Sequence, residues 1–279
     1  MSAVRAVGDS RGHALLVHAA LIVLTLLSLA PLLWMLSVSF MPAGGASRFP
    51  PPLLPDVPTL DNYRALFQRI GMGGYFLNSV LVSSAITLLS LMINAMAGYA
   101  FAKLRFAGRE RIFKTLLAAL VIPSQVTMLP LFLMLKEMGL VNSYAGVVIP
   151  GLASIFGIFL VRQYALSLPD SILDAARVDG ASELRIYWSI ALPALRPILV
   201  TLGLFTFMGT WNDFLWPLIV LSRNDLFTLQ VGLNSFQGEF NTQWDLVLAM
   251  TVLTLLPVTV AFAFLQRYIT TGIATTGMK

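Results

Sequence analysis

The chain has 279 residues, of which 57% are hydrophobic and 11% carry a charged side chain, with a net charge of +5. Soluble domains carry about 25% charged residues, so this composition excludes an ordinary soluble protein and indicates that most of the chain faces lipid. The lack of cysteine excludes disulfides, cysteine-ligated zinc or iron–sulfur sites and a cysteine nucleophile.

Six long stretches lack Asp, Glu, Lys and Arg, apart from Asp213 inside the fifth, and they predict membrane-spanning helices. A helix needs about 20 apolar residues to cross the hydrocarbon core, and helices are the form that such runs can take in lipid. We therefore predict an all-α polytopic membrane protein with six transmembrane helices and both termini on one side. The stretches lie between Arg11 and Arg48, Arg69 and Lys103, Lys114 and Lys136, Glu137 and Arg162, Arg196 and Leu221, and Asp245 and Arg267.

The basic residues are distributed unequally between the two sides of this predicted bundle. If both termini are cytoplasmic, 13 of the 18 Lys and Arg residues lie on the cytoplasmic side, as the positive-inside rule requires. The densest group, from Lys103 to Lys114, then places the loop after the second span in the cytoplasm. A signal peptide cleaved near Ser28–Ala30 is the alternative for the first span, but its apolar run continues well past the usual length of such a segment.

Two loops are long enough to predict structure or function of their own. Residues 42–74 are rich in proline and predict an irregular outer crossing. Residues 164–197 combine charges of both signs with an amphipathic pattern, in which Pro169 suits the start of a helix and Gly180 its left-handed end. Ser182 can cap a second short helix that Pro193 stops. The apolar side chains of this segment favour a protein interface over a basic lipid-binding patch, and they are Ile172, Leu173, Tyr187 and Ile190.

The second of these loops carries a motif. The run Asp174-Ala175-Ala176-x-x-Asp179-Gly180-Ala181, followed by Ile190-x-Leu192-Pro193, resembles the EAA loop of binding-protein-dependent ABC importer permeases. Ile190 follows Gly180 by ten residues, as in that family, and Asp174 stands where the family usually has Glu. Other segments resemble the second permease subunit of carbohydrate importers, the maltose-G-like subfamily, and they are Asn78-Ser79, Tyr99 to Lys103, Trp211 to Pro217, and the tail from Gln266 to Lys279.

The resemblance implies a type I ABC importer permease fold in the plasma membrane of a bacterium or archaeon. It implies a transmembrane core over residues 73–267, preceded by the N-terminus, first helix and outer loop (1–72) and followed by a cytoplasmic tail (268–279). The implied partners are a second permease subunit, two ATPase subunits, an extracytoplasmic solute-binding protein, a carbohydrate substrate and membrane lipid. The residues implied to dock on an ATPase subunit are Asp174, Ala175, Ala176, Asp179, Gly180, Ala181, Ile190, Leu192 and Pro193.

The sequence lacks the motifs of an enzyme or of an ATP-binding protein. It contains no phosphate-binding P-loop, no H-E-x-x-H and no G-x-S-x-G, and His13 and His18 are predicted to be interfacial residues rather than ligands. We therefore expect no catalytic residue, metal or cofactor in this chain and no nucleic-acid partner, with ATP and magnesium bound by the ATPase subunits.

Polar residues inside the spans are candidates for the translocation path, although each could equally join helices. They are Asn94, Asn212 and Asp213. Since Asp213 is an intramembrane acid, an ion-coupled secondary transporter is the alternative function. A single acid without a partner makes a weak relay, which favours the ABC permease.

Overall fold

The computed structural model describes residues 11–50, 52–68, 71–235 and 243–276, without the side chains of residues 11, 13, 261 and 264–276. Regular structure in these residues is helical throughout, and no strand occurs among them, which confirms the predicted all-α class. The side chains of the predicted tail motif from Gln266 onward lie outside the described residues, as does Arg5. In the described part the α-helices are α1 (Arg11–Ser39), α2 (Asp61–Gln68), α3 (Met72–Lys103), α4 (Arg109–Ala119), α5 (Ser124–Glu137), α6 (Tyr144–Val148), α7 (Ile155–Leu166), α8 (Asp170–Val178), α9 (Glu183–Ile186), α10 (Leu192–Ala194), α11 (Arg196–Trp211), α12 (Leu215–Val220), α13 (Leu229–Asn234) and α14 (Trp244–Thr276).

The chain divides into two compact units. The first comprises residues 1–70 and 236–253, and the second comprises residues 71–235 and 254–279. The second unit contains the helices α3 to α13, and it therefore contains all of the candidate functional residues.

Among the described residues, three helical segments are long and apolar enough to cross a membrane, and the total reaches five if each of two bent helix pairs is one span. The three are Ala14–Ser39, Met72–Lys103 and Tyr144–Leu166, which coincide with the first, second and fourth predicted spans. The sixth predicted span falls in α14, which is apolar over Trp244–Val260. The count of six spans and the side of the membrane on which the termini lie stay predictions.

The third predicted span is divided into two helices. Its two halves, α4 and α5, meet at an angle of 104° across residues 120–123. Pro123 precedes α5, and a proline disfavours helical conformation in the residue before it. Pro130, by contrast, lies inside α5. The helix α4, which carries basic residues, and the apolar helix α5 thus run in different directions.

The fourth and fifth spans are also interrupted. Residues 152–154 separate a short 3₁₀ turn from α7, and Ser154 caps α7 by accepting a hydrogen bond from the Gly157 backbone N–H at 3.1 Å. Residues 212–214 separate α11 from α12. The predicted tight turn between the third and fourth spans is confirmed, since Gly139 and Asn142 have φ values of 70° and 60°.

The core of the second unit forms where α3 packs against α7 and α11. A Cβ atom added to Gly98 of α3 would lie 2.6 Å from the Cβ atom of Val161 in α7. Only glycine permits this approach of the two backbones, because a separation below 3.0 Å is sterically forbidden for a side chain. The two helices therefore form a closely packed pair.

The first unit contains more order than the predicted irregular outer loop. Helix α2 lies inside that loop, and the buried amide of Asn62 donates hydrogen bonds to the carbonyls of Ser39 and Met41 at 3.1 and 2.8 Å. The buried carboxylate of Asp245 accepts from the backbone N–H groups of Gly44 and Ala46 at 2.6 and 2.8 Å. The proline content of the loop could not predict these hydrogen bonds, because their partners are distant in sequence.

Candidate functional site

The segment of residues 164–197, named the hairpin segment from here on, forms two helical arms joined at Gly180. Helix α8 ends in a Schellman motif, in which the N–H groups of Gly180 and Ala181 donate to the carbonyls of Arg177 and Ala176, each at 3.0 Å. Gly180 has a φ of 80°, a conformation that glycine adopts readily and that most side chains disfavour. The predicted helix, glycine turn and second helix are confirmed.

The second arm differs from the prediction in its course. Ser182 caps α9 by accepting from the Arg185 backbone N–H at 3.4 Å, as predicted. The chain then continues as a π-helix over Tyr187–Ala191 and as α10, so Pro193 does not end the arm. Proline is tolerated there because it occupies the first turn of α10, where its missing N–H is not needed.

Arg177 links the two arms by ion pairs. Its guanidinium donates to Asp174 Oδ1 at 2.6 Å within α8 and to both carboxylate oxygens of Glu183 at 2.6 and 3.3 Å at the start of α9. These carboxylates raise the pKa of Arg177 further above its usual value, chiefly through the hydrogen bonds that they accept from its guanidinium. The bidentate pairing with Glu183 fixes the angle at which the arms leave the turn.

The residues of the EAA motif divide into an exposed group and a half-buried group. The exposed residues are Asp174, Ala175, Asp179, Gly180 and Pro193. The half-buried residues, which pack against the buried core, are Ala176, Ala181, Ile190 and Leu192. The exposed members, apart from Pro193, cluster around the turn. The motif therefore provides both a small-residue surface and the side chains that attach this surface to the protein.

The predicted interface residues Leu173 and Tyr187 do not lie on the surface. They are 2% and 5% exposed and belong to the hydrophobic core beside Tyr99 and Val161. The prediction of a surface role was wrong for these two side chains, because helical periodicity does not distinguish an internal face from a docking face. The apolar side chains that are exposed on the arms are Ile172, Val178, Leu184 and Trp188.

Two basic residues lie near the base of the hairpin segment, of which Lys103 contacts the segment itself and Arg162 contacts α3 and α4. Lys103, the last residue of α3, donates to the Leu168 carbonyl at 2.7 Å and to Asp170 Oδ1 at 2.6 Å. Arg162 of α7 donates to the Phe101 carbonyl at 3.2 Å and stacks on the ring of Phe113 at 4.1 Å. Neither residue was predicted as functional, since their partners are distant in sequence.

Asn94 is fully buried in α3, and its amide is hydrogen-bonded at both ends. Its Nδ2 donates to Ser90 Oγ at 2.8 Å, and its Oδ1 accepts from the Ser154 backbone N–H at 3.0 Å. The amide thus attaches α3 to the break before α7. Its predicted place in the translocation path stays a prediction.

Asn212 and Asp213 lie at the break between α11 and α12. Asn212 is exposed, with its Nδ2 donating to the Met208 carbonyl at 2.9 Å and its Oδ1 accepting from Gln230 Nε2 at 3.4 Å. Asp213 Oδ1 accepts from the Trp216 backbone N–H at 3.4 Å. Both side chains therefore form hydrogen bonds at the break in the fifth span. Asn94 lies elsewhere, in α3 beside the break before α7.

Comparison with known sequences identifies the group to which this chain is related. Residues 94–275 match the family described as "Binding-protein-dependent transport system inner membrane component". The chain belongs to this family of inner membrane transport components. The predicted resemblance to binding-protein-dependent ABC importer permeases is confirmed.

Several permeases of this family are similar to the chain over most of its length. It is 39% identical over 252 residues to the arabinooligosaccharides transport system permease protein AraQ of Halalkalibacterium halodurans, with 89% of this chain and 90% of that protein covered. It is 34% identical to the lactose transport system permease protein LacG of Rhizobium radiobacter, covering 76% and 78% of the two chains. It is 31% identical to the sn-glycerol-3-phosphate transport system permease protein UgpE of Yersinia pestis, covering 95% and 97%.

A solved structure shares the fold of this permease family member. It is that of a bacterial ABC transporter involved in the import of the acidic polysaccharide alginate, with a TM-score of 0.83, 24% sequence identity, and coverage of 96% of this chain and 99% of that chain. The two chains therefore share their overall fold.

The described part of this family member contains no group of three or more His, Cys, Asp or Glu side chains placed to hold a metal ion. Its charged side chains instead pair with one another at the hairpin segment and its base. The arrangement joins an exposed turn to packed helices.

Proposed function

We propose that this chain is the transmembrane permease subunit of an ATP-driven importer for a sugar or related carbohydrate. It forms half of the translocation path and couples to an ATPase subunit through the EAA residues of the hairpin segment. The observation that carries the proposal is the Gly180 turn, which exposes Ala175, Asp179 and Gly180 while Arg177 fixes the arms on either side. A surface of small side chains on a braced hairpin suits insertion into a groove of another protein.

The transmembrane arrangement that we propose has six spans, with both termini in the cytoplasm of the bacterial or archaeal cell. The core over residues 73–267 carries the hairpin segment at the cytoplasmic face, after residues 1–72 and before the tail 268–279. The distribution of basic residues supports this orientation. The length of α3, whose 32 residues extend about 48 Å at 1.5 Å per residue and exceed the thickness of the hydrocarbon core, supports its assignment as a span.

The proposed complex contains a second permease subunit, two ATPase subunits that bind ATP and magnesium, and an extracytoplasmic solute-binding protein. The chain itself performs no catalysis in this assembly. Closure of the ATPase subunits would push the hairpin segment, and the segment would carry the attached helices with it as a rigid body. The packing of Ala176, Ala181, Ile190 and Leu192 against the buried core supports such transmission.

The proposed substrate is a carbohydrate or phosphorylated polyol. The names of the relatives refer to arabinooligosaccharides, lactose, diacetylchitobiose and sn-glycerol 3-phosphate. These compounds share several hydroxyl groups, and exposed amides such as that of Asn212 can hydrogen-bond to hydroxyls along a path.

The test is uptake by the complete complex in proteoliposomes, with arabinotriose, lactose, N,N′-diacetylchitobiose and sn-glycerol 3-phosphate as probes. We expect uptake of at least one probe that requires ATP inside the vesicle and persists when the proton gradient is collapsed. Gly180→Asp should remain in the membrane and lose the ATPase subunit on purification. Uptake that follows the proton gradient and ignores ATP would instead support the secondary transporter that uses Asp213.

A further inference from the structure

Lys103 holds a position that is rare for a lysine. Its side chain is 5% exposed, although it carries a charged ammonium group at the end of α3. Lysine is almost never buried unless it is paired, because its charge loses hydration. Here the ammonium donates to two oxygens, the Leu168 carbonyl and Asp170 Oδ1. The burial is therefore compensated by contacts with a single short stretch of the hairpin segment.

That stretch is the corner between α7 and α8. Helix α7 ends at Leu166 and α8 begins at Asp170, so the Leu168 carbonyl lies outside both helical hydrogen-bond ladders, and Pro169 has no N–H to donate. The hydrogen bond from Lys103 holds the pKa of Asp170 below its usual value, with smaller contributions from Arg177 and Arg105. Lys103 thus stabilises the corner through one neutral and one charged acceptor.

The same face of α3 contacts the second arm of the hairpin segment. Tyr99 lies one helical turn before Lys103, on the same side of the helix, and it is buried with its ring centroid 5.4 Å from that of Tyr187 in the π-helix. The end of α3 consequently contacts the first arm at Asp170 and the second arm at Tyr187. A displacement of the hairpin segment relative to α3 would break both contacts.

We propose that Lys103 is a positioning residue that fastens the hairpin segment to the end of α3, so that movement of the hairpin segment is transmitted to α3 directly. The inference rests on the proposed coupling role of the hairpin segment. It adds a route through α3 to the direct chain connections of the segment with α7 and α11. The route continues along α3 to Asn94, about 14 Å away at 1.5 Å per residue. Asn94 is in turn hydrogen-bonded to Ser154 at the break in the fourth span.

The decisive variant is Lys103→Met, which keeps an apolar side chain of similar length and removes the ammonium group. Its matched control is Lys114→Met, which removes a basic residue from the same cluster whose side chain is exposed. The complete complex is assayed in proteoliposomes for ATP hydrolysis and for uptake of the probe that the wild-type complex transports fastest. We expect Lys103→Met to transport about tenfold fewer molecules per ATP hydrolysed, in line with typical coupling energies, and Lys114→Met to match the wild type.

A cysteine pair separates loss of attachment from loss of folding. The chain has no native cysteine, so Lys103→Cys with Asp170→Cys introduces the only two thiols of this subunit. With the thiols free, the ratio of transport to hydrolysis should fall as in Lys103→Met. A bifunctional methanethiosulfonate that bridges the two positions should restore the ratio, because it replaces the lost attachment.

Each outcome decides the proposal. A normal transport ratio in Lys103→Met, an equal defect in Lys114→Met, or inactivation by the bridging reagent would overturn the positioning role while the proposed function stood. Absence of ATP-dependent uptake by the wild-type complex would overturn the proposed function itself. Low transport with normal hydrolysis in Lys103→Met, together with restoration by the bridge, would support the positioning role.

Discussion

Arg177 donates hydrogen bonds from its guanidinium to the carboxylate of Glu183 across the turn at Gly180, with a shortest distance of 2.6 Å. The two residues are six positions apart and belong to different helices. Because the same guanidinium also pairs with Asp174, one side chain connects the first acidic residue of the EAA motif to the second arm. The turn is therefore braced before any partner binds.

Replacement of Arg177 tests this brace. Arg177→Gln should weaken copurification of the ATPase subunit several-fold while leaving membrane abundance unchanged, since the pairs are partly exposed and contribute little to global stability. Arg185→Gln is the matched control, because Arg185 is an exposed basic residue of the second arm. Equal ATPase recovery from both variants would contradict the brace.

Variants of Gly180 can separate two requirements at the turn, which are the left-handed backbone conformation and the space for a docked partner. An added Cβ atom would meet no atom of the chain within 4 Å, yet the φ of 80° disfavours a side chain. Gly180→Asn should keep most uptake, since asparagine tolerates the left-handed conformation, whereas Gly180→Val should abolish it. Both variants are measured by uptake and by ATPase recovery. If Asn were as damaging as Val, the requirement would be space for the partner rather than backbone conformation.

Asn94 is expected to contribute to stability as well as to any path. Asn94→Leu leaves the Ser154 backbone N–H without its acceptor in a buried setting, which typically costs about 1–3 kcal/mol. Thermal unfolding of the purified chain in detergent measures this cost. Ser90→Ala, which removes only the contact within α3, should have a much smaller effect. A stable Asn94→Leu protein with impaired uptake would instead favour the path.

Asp213 distinguishes the two proposed classes of transporter. Asp213→Asn removes the carboxylate but keeps an oxygen that can accept from the Trp216 N–H at the start of α12. ATP-driven uptake should therefore persist at near wild-type rates. Complete loss of uptake in a variant with normal membrane abundance would indicate that a titrating carboxylate is required, as in a proton-coupled mechanism.

Asp245 is expected to organise the first unit. Its carboxylate accepts from two backbone N–H groups in residues 44–46, and Asp245→Asn would place an NH₂ group against one of these donors. We expect a loss of about 2 kcal/mol in the free energy of unfolding, because hydrogen bonds to charged groups are strong. The exposed Asp56, treated in the same way, should show little change.

The sequence by itself determined the features that depend on local composition. The length of the apolar stretches predicted α1, α3 and the segment of α6 and α7 as candidate spans. It could do so because a helix that crosses the hydrocarbon core needs a long run of apolar residues. Cap chemistry predicted the hairpin segment with its turn at Gly180, because a left-handed residue and a serine cap are encoded within a few positions. The motif around this turn also indicated the family.

Only the tertiary structure decided which side chains face the protein and which face outward. Leu173 and Tyr187 matched an exposed interface by their spacing but are buried, because the core side of a helix and its docking side have the same periodicity. The sequence contains both Pro123 and Pro130 in the third predicted span, and the structure shows that the bend lies before Pro123 whereas Pro130 lies inside α5. The contact of Lys103 with Asp170 joins residues 67 positions apart, and no local pattern carries that pairing because it arises from the packing of α3 beside α7 and the hairpin segment.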